Sequence, residues 1–459
     1  MKTKRFFQTA PTPKSIRWGA LLGLLCLSLL MGLAVVSSAV ALAGAGESDD
    51  IHLFVDINDP DCDDANPGTT ESPLCHIQAA ADRAVPGTTV HVREGTYQEE
   101  VEVRTSGTAG APISFVTDNN ERVIINSPGE ACFDLHNVEY IKIHGFELTG
   151  AWMPPASAAP PPDTDVTPAH AAGIRAFPLD ENGFGVRYSL FTKNIIHGND
   201  AGIWLVYGHN NVISNNVIYG NGEASIRIKR GDYNQIVNNL VFNNGSNEKW
   251  GITFYCSEGT VVRHNTIVES GGGAVYIYEG TSNLNGEEPG SDGFCKPSNH
   301  AQVFDNIGVV IGYVAGQSAP LVIGSSTTTD RDPLLDVLYG PLDNEYHHNL
   351  WFNKWHPDNV VSWGDFNERS TWAFYGLLTL EEFQLKHEGY GAFSIAAHPL
   401  FVDPVNNDFR LLPDSPAIGA ASDGKDMGVI FDTLPVVEYA SLPSFFYDGF
   451  PVYLPLITK

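Results

Sequence analysis

The sequence predicts an all-β solenoid, a single-stranded parallel β-helix with a short helix capping its first coil, and three observations carry that reading. The first is a phrase repeated as Ile195-Ile196-His197, Asn211 to Ile218, Asn234 to Val241, and Val261 to Ile267. Its marker asparagines Asn194, Asn216, Asn239 and Asn265 are separated by 22, 23 and 26 residues. That spacing is too long for a hairpin and too short for a βαβ unit, and it fits one coil of three short strands. The second is the residue type at the corners: Asn tolerates left-handed geometry, and its amide can bond the next coil, so stacked Asn ladders are expected inside the turn. The third is a gap-free column of alternating residues running from Phe133 to Tyr278.

Residues 1–43 read as an export signal or, uncleaved, as an N-terminal membrane anchor. Lys2, Lys4, Arg5, Lys14 and Arg17 precede an apolar run from Trp18 to Ala43, and Ala41-Leu42-Ala43 offers small residues for cleavage. The expected location is therefore secreted or cell-surface. Cysteine usage agrees: Cys62, Cys75, Cys132, Cys256 and Cys295 remain after the leader. Cys62 and Cys75 flank an acidic turn 13 residues apart. Closing that loop would stabilise the first coil by about 3 kcal/mol in the chain-entropy model. Cys256 with Cys295 is a second candidate pair, leaving Cys132 as a small buried apolar residue.

The β-helix is expected over residues 47–435, followed by a tail at 436–459. Phe54-Val55-Asp56 opens it, and Cys75 to Ala84 reads as a short amphipathic helix covering the otherwise exposed strand edges of the first coil. Thr89 to Val92, Gly95-Thr96-Tyr97 and Ile113 to Val116 begin the coils, and His347-His348 falls in the last ones. A Pro-rich stretch from Trp152 to His170 and a Gly- and acid-rich one from Gly280 to His300 interrupt the pattern. Both join the same strand column, and they are expected as two walls on one face.

Alternation sorts that column. Phe133, Ile174, Ile203, Ile226, Ile252 and Val275 point inward with Leu135, Ala176, Leu205, Ile228, Phe254 and Ile277. Outward lie Asp134, Arg175, Trp204, Arg227, Thr253 and Tyr276, and beside them His136, Phe177, Val206, Lys229, Tyr255 and Tyr278. The formal net charge is −28. Bulk nucleic-acid binding is disfavoured, and an anionic glycan needs calcium or a local cationic patch. The outward stripe supplies such a patch, and it is expected to be exposed, Lys229 included.

The repeat, Asn66-Pro67-Gly68-Thr69, Ile77-Gln78-Ala79-Ala80, Gly95-Thr96-Tyr97, Gly110-Ala111-Pro112-Ile113, Asp408-Phe409-Arg410-Leu411 and Ser415-Pro416-Ala417-Ile418 resemble secreted right-handed parallel β-helix proteins of the pectate-lyase-like superfamily. The resemblance covers roughly Ile51 to Val429 and implies the fold rather than one activity. Gly222-Glu223-Ala224-Ser225-Ile226-Arg227-Ile228-Lys229 is similar to a stretch of chondroitinase-B-like and alginate lyases, where carboxylates hold calcium and a lysine is the base. That implies Lys229 as base; the family's arginine-bearing strand one coil later is here Ile252 to Tyr255, so Tyr255 would substitute as proton donor, with Arg227 as the neighbouring cation. Glu223 becomes the metal candidate, and Arg175, Trp204, Tyr276, Tyr278 and His136 would bind substrate. Ser225 stands where the family has its second glutamate, and the spacing from Glu223 to Lys229 is one residue short. The acidic run Asp56, Asp59, Asp61, Asp63 and Asp64 is a second candidate for calcium, or a solvated turn.

Three functions compete. A β-eliminating lyase of uronate-containing glycans would use Lys229 to remove the C5 proton. A non-catalytic glycan-binding surface module would use the aromatic stripe alone. A glycoside hydrolase needs two carboxylates across a groove, and the column offers Asp134 and Glu279 at opposite ends. The expected partner is polysaccharide and the expected state a monomer, with membrane contact only through an uncleaved leader.

Overall fold

The computed structural model describes residues 51–152, 171–179, 183–244, 250–269, 272–278, 298–312, 319–325, 343–365, 375–386 and 388–435. The chain divides into Met1–Glu47 and Ser48–Lys459, and every described residue lies in the second unit. The leader, the tail and most of both interrupting segments lie outside the described residues. Among the described residues no helix is long and apolar enough to cross a membrane.

Each coil contributes one short strand to each of three ten-stranded sheets. The first sheet runs from Ile51–Val55 to Glu345–His347, and the second from Gly95–Tyr97 to Ile395–Ala396. The third runs from Val101–Val103 to Tyr375–Thr379. Pairing within these sheets is parallel except at the end of the third, where Tyr375–Thr379 returns antiparallel to Asn359–Asp365. The inward column holds its expected register, Ile174 beside Ile203, then Ile226, Ile252 and Val275, and all five side chains are fully buried.

The corners explain why asparagine recurs. Lys193, Asn215, Asn238, His264, Asp305 and His348 adopt positive φ, which turns the chain sharply, and each precedes a buried asparagine. The amide of Asn194 donates to Asn216 Oδ1 at 2.9 Å, Asn216 to Asn239 at 3.0 Å, and Asn239 to Asn265 at 2.9 Å. The ladder continues through Asn306 and Asn349, past the insertions that disrupt the sequence period. Each rung satisfies corner amides that no strand can reach, a net gain of about 1 kcal/mol per bond and a larger penalty if one partner is removed.

Both ends are covered. At the start, the helix spans Ile77–Ala81, shorter than the stretch that predicts it. The amides of Ile77 and Gln78 donate to the Glu99 carboxylate at 3.0 and 2.9 Å, placing an acid at the helix N-terminus. Cys62 and Cys75 form the expected disulfide. Cys256 is also disulfide-bonded, while its expected partner Cys295 lies outside the described residues. Cys132 is buried and free, and burial pushes its thiol up to about 12, so it is inert. At the far end, helix Leu380–Gln384 starts with a capping box between Thr379 and Glu382 and buries Phe383.

The segment from Phe401 to Leu434 forms no further coil. It packs Phe409, Ala417, Ala421 and Met427 against Val217, Leu240, Phe242, Ile307 and Leu350 of the second sheet. Buried Asp305 anchors it, accepting from the Ser422 amide at 2.5 Å and its hydroxyl at 2.7 Å.

Candidate functional site

The outward column also holds its register: Asp134, Arg175, Trp204, Arg227, Thr253 and Tyr276 stand side by side on successive strands. Val206, Lys229, Tyr255 and Tyr278 form the neighbouring row. The Tyr278 side chain, Glu279 and both walls, apart from Trp152 and Ser298 to His300, lie outside the described residues.

Exposure does not follow the expectation. Trp204 is fully buried with Ala172, Ala201 and Val206, in a cluster separate from the main core, and Tyr276 is buried with Trp250 and Val322. Lys229 is only 2% exposed, and Arg175 and His136 are buried as well. Arg227, Tyr255 and Phe177 are half-buried. An open catalytic stripe centred on an exposed Lys229 is therefore corrected. Alternation decides which side of a sheet a side chain occupies and is silent on whether that side is covered.

The cations of the column are engaged by aromatic rings and carboxylates. The Arg227 guanidinium lies 4.5 Å from the Trp204 ring centre and 5.3 Å from that of Tyr255, and Nη2 meets the Tyr255 hydroxyl at 3.4 Å. Lys229 Nζ sits 5.9 Å from the same ring. Arg230, at φ 54°, donates from Nη1 to the Tyr207 hydroxyl at 2.8 Å. These contacts unite Arg227, Lys229, Tyr255 and Trp204 as the sequence reading expects, though as a packed cation–aromatic group.

Arg175 anchors a second group near the start of the column. Its Nε and Nη2 donate to both oxygens of Asp134 at 3.2 and 2.6 Å, Nη1 donates to Glu130 at 2.5 Å, and Glu100 lies 3.7 Å from Nη2. His136 Nε2 lies 3.1 Å from Asp134, and the Phe177 ring packs edge-on against the imidazole. Burial pushes the Asp134 carboxyl up, but the hydrogen bonds from His136 and Arg175 together outweigh it and hold it below the usual range. Burial, then the Asp134 charge, raises Glu100. Glu100 and Glu130 were not among the expected residues. Extending the column one coil back to Val101, which pairs with Phe133, would have found Glu100 at its edge.

Glu269 was also missed. It is fully buried at the end of a second ladder, Asn199, Asn221 and Asn244, and it accepts from the Asn244 amide at 3.0 Å and Nδ2 at 3.2 Å, and from the Ser225 hydroxyl at 3.4 Å. Burial pushes its carboxyl up to about 8 against those hydrogen bonds. Ser225, at the family's second glutamate position, is thus spent on the core side of the strand. Glu223 is half-buried, and among the described residues no three carboxylate, histidine or cysteine side chains assemble to hold a metal. The acidic run closes turns instead: Asp56, Asp59 and Asp63 accept from the amides of Asn58, Asp61 and Ala65. Asp64 accepts from Cys75 and His76. Among the described residues, neither Glu223 nor this acidic run assembles a calcium site.

A family model described as a right-handed β-helix region matches residues 180–287. Over 89 residues the chain is 43% identical to the uncharacterized protein YwoF of Bacillus subtilis (strain 168), covering 18% of each chain. Over 69 residues it is 41% identical to pectate lyase PEL9 of Emericella nidulans, covering 15% of this chain and 17% of that one. The chain thus spans less than a fifth of either relative's length. Among solved structures, pectate lyase Pel9A aligns over 83% of this chain and 96% of its own, with 15% identity and a TM-score of 0.45. The matched repeat region and the three stacked sheets together give this chain the right-handed parallel β-helix fold.

Proposed function

We propose that this chain is an exported or cell-surface protein that recognises polysaccharide on exposed surface beside its third sheet, as a binding module rather than a β-eliminating lyase. Similarity to pectate lyase PEL9 over 69 residues supports a glycan as the partner. One observation carries the choice against elimination: Lys229 is 2% exposed, packed near Tyr255, and so is not presented to a C5 proton. A base must stand within hydrogen-bond reach of the proton it removes. The departure at Ser225 and the lack of an assembled calcium site among the described residues point the same way.

The test is a screen of the purified protein on pectate, alginate, glycosaminoglycans and neutral glycans, with and without calcium. Retention on glycan gels without release of ultraviolet-absorbing uronides is expected. Uronide release that Lys229→Ala abolishes while the fold stays intact would establish the lyase instead.

A further inference from the structure

A half-exposed indole stands at the corner between the second and third sheets. Trp152 follows strand Glu147–Thr149 and is 52% exposed. It is held from two sides: its amide donates to Gly129 O at 3.1 Å, and Nε1–H donates to Gly198 O at 3.1 Å. The ring reaches across to Gly222, where a Cβ would stand 3.4 Å from its Cη2. A large apolar face is therefore kept in one orientation without being used in the core. Such a rigid aromatic offers contact area at a small entropic cost.

The chemistry around this face is acidic. The same corner carries Glu130 one coil before Trp152, Asp200 one coil after it and Glu223 beyond. Their backbones are tied in that order: the Trp152 amide bonds Gly129, the Asp200 amide bonds Ala151 O at 2.9 Å, and the Glu223 amide bonds Asp200 O at 2.5 Å. The Glu130 side chain is 42% exposed and uses Oε2 on Arg175. Glu100 adds another carboxylate, and Arg175 is already engaged by Asp134. A uronate carboxylate arriving here would meet like charge, in a protein whose net charge is −28. A neutral sugar would not, and its hydroxyls can donate to carboxylates in charge-assisted hydrogen bonds.

We propose that this corner is a subsite for a neutral pyranose ring, whose apolar face stacks on Trp152 while a hydroxyl donates to Glu130. The inference rests on the glycan-binding reading and narrows it: the recognised polysaccharide has neutral residues at this end of the column. Stacking on the indole is mainly apolar, so affinity should change little with salt, unlike contacts of a uronate with Arg or Lys.

The experiment is calorimetric titration of the whole protein with neutral oligosaccharides from xylan, galactan and β-glucan, and with oligogalacturonate, at low and high ionic strength. It compares wild type, Trp152→Ala, Trp152→Phe and Glu130→Gln, each checked for folding by circular dichroism. The expected result is salt-insensitive binding of a neutral oligosaccharide, weakened roughly tenfold or more by Trp152→Ala, less by Glu130→Gln, and largely kept by Trp152→Phe. Glycan binding that Trp152→Ala leaves unchanged would overturn the subsite while the glycan reading stands. Binding of oligogalacturonate alone, weakened by Trp152→Ala, would overturn the neutral-sugar assignment. Binding of no glycan by wild type would overturn both.

Discussion

Replacing Glu269 by glutamine should change how stability depends on pH, with the two curves crossing. The carboxyl is fully buried among Asn244 and Ser225, and burial raises it from 4.5 to about 8. A carboxyl raised on folding binds its proton more tightly in the folded state. Its contribution is therefore fully present below pH 4.5 and is lost as pH rises towards 8. At about 1.4 kcal/mol per pH unit, the loss approaches ~3 kcal/mol by pH 7 and ~5 kcal/mol above pH 8. Glutamine cannot ionise, but with one acceptor oxygen it cannot meet all three donors, a cost of about 1–2 kcal/mol at every pH. Glu269→Gln should thus be slightly less stable than wild type near pH 5 and more stable by ~2–3 kcal/mol near pH 8. Urea midpoints by circular dichroism across pH 4.5–8.5, with hydrogen exchange at the Asn244 amide as a local readout, measure the difference. Parallel curves for the two proteins would refute the reasoning, since they would show that Glu269 ionises in the fold as it does unfolded.

Four further outcomes are expected. Asn239→Ala should cost ~2–4 kcal/mol, because the Asn216 amide and Nδ2 lose their acceptor inside the coil, and the loss should appear in urea midpoints. Ile226→Asp buries an unpaired carboxylate in the inward column, a cost of several kcal/mol, and should expose the central coils to limited proteolysis. Removing Cys62 and Cys75 together should lower stability by about 3 kcal/mol and raise hydrogen exchange in the first coil and its helix selectively. Arg175→Ala leaves Asp134 buried beside Glu100 and Glu130 without its cation, at a cost of ~3–5 kcal/mol near neutral pH. Part of that loss should be recovered as pH falls and the carboxyls take up protons, read from thermal melts at pH 4 to 8.

The period of the sequence determined the coil, because each repeat of Asn and three apolar strands is a local pattern that stacking only reinforces. Asn194, Asn216, Asn239 and Asn265 could be placed on one ladder, and Ile174 to Val275 on one inward column, since period-two alternation fixes side-chain direction strand by strand. The Cys62–Cys75 bond was legible for the same local reason, and the Thr379–Glu382 capping box was equally visible though unused. What tertiary structure alone decided is which outward face stays open. Trp204 and Lys229 point away from the core, as alternation requires, yet they are buried, because bulky side chains of the neighbouring coils pack against them. Likewise Asp305 receives Ser422 from across more than a hundred residues, Arg175 gathers carboxylates from the two preceding coils, and Glu269 ends a ladder begun at Asn199. The register placed Asp134 beside Arg175, but Glu100, Glu130, Ser422 and Glu269 lie off the aligned column, where only the stacking of the coils brings them to their partners.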